Sequence, residues 1–190
     1  RAAYFERMKA DREPAGPEAV LHFTPCVGGM AGPYPCSNVD LMEYVSHAAL
    51  GGSDGNDIWG WTDPVSGREF ALVGQSDGTA FVEITSPSDT VFLGRLPTHT
   101  GDSTWRDIKT YQNYAYIVTE GPGAGTGLQI VDLSNPLVPV HVTTYTANNI
   151  STSHNLWIDT DAGIAYACGA APGGGMHILS LANPVAPVEI

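Results

Sequence analysis

The chain has 190 residues, 43% of them hydrophobic, with 22 Gly and 14 Pro against only 8 Lys and Arg. A real core is expected, and the abundance of turn-formers beside short apolar runs points to an all-β chain. The formal net charge is −12; beyond Arg12 there remain 18 acidic residues (20 less Glu6 and Asp11) and 4 basic ones (8 less Arg1, Arg7, Lys9 and Arg12), a surface that argues against nucleic acid and anionic lipid as partners and suits a cation, a basic protein or a neutral glycan.

In chain order, residues 2–13 (AAYFERMKADRE) favour a short helix that Pro14 ends. Residues 14–37 are Pro/Gly-rich and hold Cys26 and Cys36 around the loop CVGGMAGPYPC. That spacing fits no common zinc knuckle, and no second pair completes four ligands, so a disulfide closing the loop is preferred over two free thiols. It implies an oxidising compartment, hence an extracellular or cell-surface protein. Residues 38–50 supply either an additional strand or a short helix. No run approaches the roughly 18 apolar residues of a transmembrane segment. Residues 1–50 thus form an N-terminal extension, and residues 51–190 are a repeat array.

The array holds three copies of one pattern, at about residues 56–96, 106–145 and 154–190. Gly78, Gly127 and Gly175 open the third apolar run of each copy, and Pro87, Pro136 and Pro184 close it, in both cases 49 and 48 residues apart. Asp57, Asp107 and Asn155 precede the first run, 50 and 48 apart. In the second copy the four apolar runs are Asp107–Thr110, Tyr114–Thr119, Leu128–Leu133 and Val140–Tyr145, all of strand length and rich in β-branched and aromatic residues. Turn-formers separate the runs: at the first turn, Asp63-Pro64 in the first copy, Gln112-Asn113 in the second, and Asp159 with Gly163 in the third. The third run is nearly continuous apolar (LQIVDL, MHILSL), as in a strand covered on both faces. Four strands per repeat of about 48 residues, with middle strands buried twice, predict a β-propeller of four-stranded blades. Three blades are present and the last is incomplete, since Ile190 aligns with Val142 and Leu93 inside the fourth strand. A closed propeller needs ~4–8 blades, so the expectation is a partial ring, a piece of a longer chain.

The segments CVGGMAGPYPCSNVDLMEYV, NDIWGWTDPVSGREFALVGQSDGTAFVEI and LPTHTGDSTWRDIKTYQNYAYIV resemble the start of the bacterial choice-of-anchor B family, and GLQIVDLSNP at 127–136 resembles its LVIVD repeat. The resemblance spans roughly residues 20–190 and implies an exported bacterial propeller. It implies no enzyme activity and supplies no catalytic residues.

Candidate chemistry clusters before the first strands. His47, His99 and His154, with Asp54, Asp57, Asp102, Asp107 and Asn155, converge at one mouth of the central channel if the first strand of each repeat is innermost. Imidazole and carboxylate together suit a divalent transition metal, and this set defines the rival function, a metal-dependent hydrolase or oxidoreductase. The offsets from each His to the aligned Asp or Asn are ten, eight and one, so the histidines are not equivalent. The plainer expectation is that Asp57, Asp107 and Asn155 cap turns by accepting from backbone N–H groups, with each His packed locally. Residues 53–57 (SDGND) resemble a Ca²⁺ loop but lack the full ligand pattern. Trp59, Trp105 and Trp157 are either inter-blade packing or an aromatic platform for sugar or peptide stacking. Cys168, in the apolar run AYACG, is expected to be an inert buried thiol. The function favoured is a non-catalytic module that binds a protein, peptide or glycan at the propeller surface.

Overall fold

The computed structural model describes residues 20–123 and 126–190. These are all-β, apart from one 3-10 turn at Ala147–Asn149. Four short strands come first: β1 (Val20–Leu21), β2 (Met30–Ala31), β3 (Tyr34–Pro35) and β4 (Tyr44–Val45). Three four-stranded antiparallel sheets follow, each a meander in chain order. Blade 1 is β5 (Gly55–Thr62), β6 (Glu69–Gln75), β7 (Gly78–Glu83) and β8 (Val91–Pro97). Blade 2 is β9 (Arg106–Tyr111), β10 (Tyr114–Thr119), β11 (Leu128–Asp132) and β12 (Val140–Tyr145). Blade 3 is β13 (Asn155–Asp159), β14 (Ile164–Ala170), β15 (Gly175–Ser180) and the two-residue β16 (Val188–Glu189). The first strand is an edge of each sheet, and β9 touches both β5 and β13, so the first strands line a common hub. This is a partial propeller, three blades of a ring that does not close.

The cores lie between blades. Trp61, Phe70, Leu72 and Phe81 of blade 1 meet Ile108, Ala115, Ile117, Val131 and Leu133 of blade 2. Tyr116, Val118, Leu128 and Ile130, on the other face of blade 2, meet Leu156, Ile158, Ala165, Ala167, Leu179 and Leu181 of blade 3. Successive strand residues point to opposite faces. In β10, therefore, Ala115 and Ile117 serve one interface while Tyr116 and Val118 serve the other. That is why the middle strands read as continuous apolar runs. At ~1.5–3 kcal/mol for each large apolar side chain taken from water, these two interfaces dominate the stability of the array.

The glycine landmarks have a steric cause. A Cβ on Gly78 would stand 2.5 Å from the Leu96 carbonyl oxygen, and one on Gly127 would collide with the carbonyl of Tyr145. In both blades the fourth strand passes too close for a side chain at the start of the third. At Gly175 no other atom lies within 4 Å of where a Cβ would stand. The turns behave as their residues predict at Asp63 and Asp159, whose carboxylates accept from the N–H groups of Val65 and Ser66 and of Asp161 and Ala162. At Gln112-Asn113 the left-handed residue is Gln112 (φ 52°), not Asn113, and its carbonyl accepts the indole N–H of Trp61 from blade 1 at 3.0 Å.

In the N-terminal region, Cys26 and Cys36 form the expected disulfide, Cα to Cα 5.9 Å, around the β2–β3 hairpin. Of the two alternatives for residues 38–50, the structure gives the strand, the short β4 paired with β1 through Val20–Val45, followed by turns. Leu50 then packs on Ala71, Ala80 and Val82 on the face of blade 1 turned away from blade 2. The helix expected at residues 2–13 lies outside the described residues. Cys168 departs from expectation: it is half-buried, on the face of blade 3 turned away from blade 2.

Candidate functional site

Of the three aligned residues, Asp57 and Asp107 accept from backbone N–H groups, which belong to the following blade, whereas the Asn155 side chain donates. Asp57 Oδ2 accepts from Ile108 N–H at 2.9 Å, and Asp107 Oδ2 accepts from Leu156 N–H at 2.7 Å. Ile108 and Leu156 are equivalent, each one residue past the aligned Asp or Asn. The same clasp is therefore made twice, hub strand to hub strand. Asn155 Nδ2 adds a 3.3 Å bond to Asp107. Ile108 N–H is shared with Asp107 Oδ1, also at 2.9 Å, which brings the carboxylates of Asp57 and Asp107 onto one donor.

Burial chiefly, and then the adjoining Asp107 carboxylate, raise the Asp57 pKa above the ordinary carboxylate range, against the pull of the Ile108 N–H. Burial acts in the same direction on Asp107, but the Lys109 ammonium and the Leu156 N–H outweigh it and hold that carboxyl below its usual value. Lys109 pairs with Asp107 and stands 4.3 Å from the ring centroid of Trp59, whose indole N–H donates to Thr110 Oγ at 3.0 Å. Arg106 is 3% exposed; desolvation, then repulsion from Arg95, lower its pKa to about 10, while Asp77 and Asp102 act against that fall. Its Nε donates to the Gln75 carbonyl across the first interface at 3.0 Å.

The N-terminal ends of β5, β9 and β13 frame a cavity of about 260 Å³. Its wall includes Asn56, Asp57, Trp105, Asp107, His154 and Asn155. Trp105 is 40% exposed, with its ring 5.1 Å from that of His154. His154 Nδ1 is in turn 2.9 Å from Glu120 Oε1. Five of the candidates from the sequence thus meet here: Asp57, Trp105, Asp107, His154 and Asn155. His47, Asp54, His99, Asp102, Trp59 and Trp157 are not in this wall. His47 lies against Gly55 and Gln75. Trp59 is turned into the interface with blade 2, and Trp157 stands 59% exposed on the open face of blade 3. In the 53–57 loop, Ser53 N–H donates to Asp77 and the Asn56 side chain accepts from Asp57 N–H. Among the described residues, no three His, Cys, Asp or Glu side chains stand in a metal-holding arrangement.

Sequence reasoning could consider Ser103 and Ser153 only as nucleophiles beside a histidine, and it missed their structural role and Glu120 altogether. Ser103 N–H donates to the Ser76 carbonyl and Ser153 N–H to that of Thr119, tying the start of each blade to the second strand of the one before. Both hydroxyls donate to a carbonyl two residues on. The signal was available, since Ser53, Ser103 and Ser153 recur at intervals of 50 residues.

The LVIVD repeat family matches residues 102–147, which is blade 2 with its leading loop. No curated protein and no solved structure matches the chain. No helix among the described residues is long and apolar enough to cross a membrane.

Proposed function

We propose that this chain is a non-catalytic binding module of an exported, surface-displayed bacterial protein of the choice-of-anchor B type, with residues 1–50 as an extension and residues 51–190 as the blades. The carrying observation is the exposed Trp105, tilted against His154 in the hub cavity, whose wall also holds Asn56 and Asn155. An aromatic wall with polar groups at its edge suits a sugar ring or a peptide side chain. The carboxylates of Asp57 and Asp107 favour binding over catalysis here, because backbone N–H groups of the next blade already engage them. The disulfide and the resemblance support export.

Glycan arrays and peptide display on the purified chain test this, followed by titration of any hit against Trp105→Ala. The substitution is expected to weaken binding by about tenfold or more, the scale of an aromatic anchor. Stoichiometric zinc or manganese retained after desalting, together with turnover of an ester or glycoside, would instead establish the metal-dependent hydrolase.

A further inference from the structure

The two carboxyls in the wall of the hub cavity differ in how far the protein satisfies them. Asp107 is saturated. Its Oδ1 accepts from Ile108 N–H and pairs with Lys109, and its Oδ2 accepts from Leu156 N–H and the Asn155 amide. Asp57 accepts from Ile108 N–H through Oδ2. To its Oδ1 no N–H donates among the described residues, and the side chain acting on it most closely is another carboxyl, that of Asp107. The nearby cations are spent elsewhere. Lys109 is held by Asp107 over the Trp59 ring, and Arg106 is buried against Gln75, with Asp77 and Asp102 as the carboxylates that act on it. His154 is joined to Glu120. Asp57 is thus a half-buried carboxyl in the same cavity wall as the exposed Trp105, with no counter-charge of its own.

We infer that the occupant of this cavity is a lysine side chain of a partner peptide, its aliphatic stem lying on Trp105 and its ammonium meeting Asp57 Oδ1. This rests on the reading of the cavity as a binding site and names the class of ligand. A volume of about 260 Å³ suits one side chain. A long cationic side chain lays its methylenes on an aromatic face and keeps its head for a polar partner, and a cation beside Trp gains from the ring quadrupole. An ammonium here separates two carboxyls that otherwise repel, which a neutral sugar does not. Lysine fits better than arginine because Asp57 offers one oxygen: a guanidinium fork needs both oxygens of a carboxylate, whereas an ammonium is a point charge. Asn155, whose Nδ2 is spent on Asp107, keeps its Oδ1 as a second acceptor in the same wall. The net charge of −12 draws a basic peptide toward the chain as a whole.

Fluorescence anisotropy with a labelled peptide of alternating Gly and Lys tests this on the 190-residue chain. Matched peptides carry Nε-acetyllysine or Arg in place of Lys, and the glycan array supplies neutral competitors. The Lys peptide is expected to bind at least about tenfold more tightly than the acetylated one and to weaken with added salt. Asp57→Asn, which keeps an acceptor for Ile108 N–H, is expected to weaken the Lys peptide by about tenfold or more. Asp161→Asn removes the same charge from an exposed turn and should change binding less than about twofold. Should Asp57→Asn fail to fold, the acetylated peptide decides on the wild type alone. Equal losses in the two Asn variants would mean diffuse attraction to an acidic surface and overturn the inference, as would tighter binding of the Arg peptide. A neutral glycan whose binding is lost in Trp105→Ala but kept in Asp57→Asn overturns the lysine assignment and leaves the binding module standing. Binding by none of these ligands overturns both.

Discussion

Replacing Asp57 by Asn isolates the proton at the first clasp. In the second interface Asn155 donates to Asp107, which also accepts from Leu156 N–H. In the first interface Asp107 occupies the place of that Asn, so a carboxylate faces the Asp57 carboxylate within hydrogen-bond reach. Two ionised groups there repel, and one shared proton binds them. Burial, and secondarily Asp107, raise the Asp57 pKa, so the native state holds a proton that the unfolded chain releases earlier. Stability from this group is therefore fully present below the ordinary Asp range and is lost as pH rises through the raised value. Asn at position 57 keeps an acceptor for Ile108 N–H and offers Asp107 a donor without needing the proton. A bond to a charged group contributes ~1.5–3 kcal/mol, and exchanging a charged acceptor for a neutral one at Ile108 gives back ~1. The expected net gain is about 1 kcal/mol at neutral pH, or roughly 2–4 °C in Tm for a domain of this size. It should shrink toward zero near about pH 4, where Asp57 is increasingly protonated. Urea unfolding at both pH values measures it. Asp57→Ala, which strands the Ile108 N–H, should cost about 1–3 kcal/mol at either pH. Equal losses for Asn and Ala at neutral pH would refute the shared-proton account.

Other substitutions probe the remaining features. Gly127→Ala drives a methyl into the Tyr145 carbonyl and should cost about 1–3 kcal/mol or more, read from the urea midpoint. Reducing the Cys26–Cys36 bond opens a loop of about ten residues, and the chain-entropy relation puts the loss at about 2–3 kcal/mol. That loss should appear as faster proteolysis between the two cysteines while near-UV signals from the blades persist. Arg106 is a desolvated cation whose terminal nitrogens find no hydrogen-bond partner among the described residues, so Arg106→Met should be neutral or stabilising by thermal melt. A loss above about 3 kcal/mol would show that attraction to Asp77 and Asp102 outweighs its burial.

The strands and their blade order were legible because local chemistry writes them. In blade 2 the expected runs match β9–β12 to within a residue or two, since β-branched runs and turn residues alternate with little ambiguity. The steric role of Gly78 and Gly127 was visible only as a spacing. The clasps were half legible: Asp57 and Asp107 were expected to accept from backbone N–H groups, but the donors lie 51 and 49 residues away, and a main-chain N–H leaves no side-chain signature. The three histidines do not assemble because their offsets from the hub differ; only His154, adjacent to Asn155, reaches the cavity wall. Trp59 and Trp157 look alike in the repeat, but the contacts that cover Trp59, to Lys109 and Thr110, lie about 50 residues on and leave no mark beside it in the sequence.

The clasp from one blade to the next also bears on how such an array diversifies. Each carboxylate seizes the peptide backbone of its successor, and the successor's own hub side chain tunes that hold, Asn155 adding a donor and Asp107 a second carboxylate. A duplicated or swapped unit inherits a working junction as soon as its chain runs in the right direction. The residue type at the hub is not uniform within this one chain: the third position carries Asn155 where the first two carry Asp57 and Asp107.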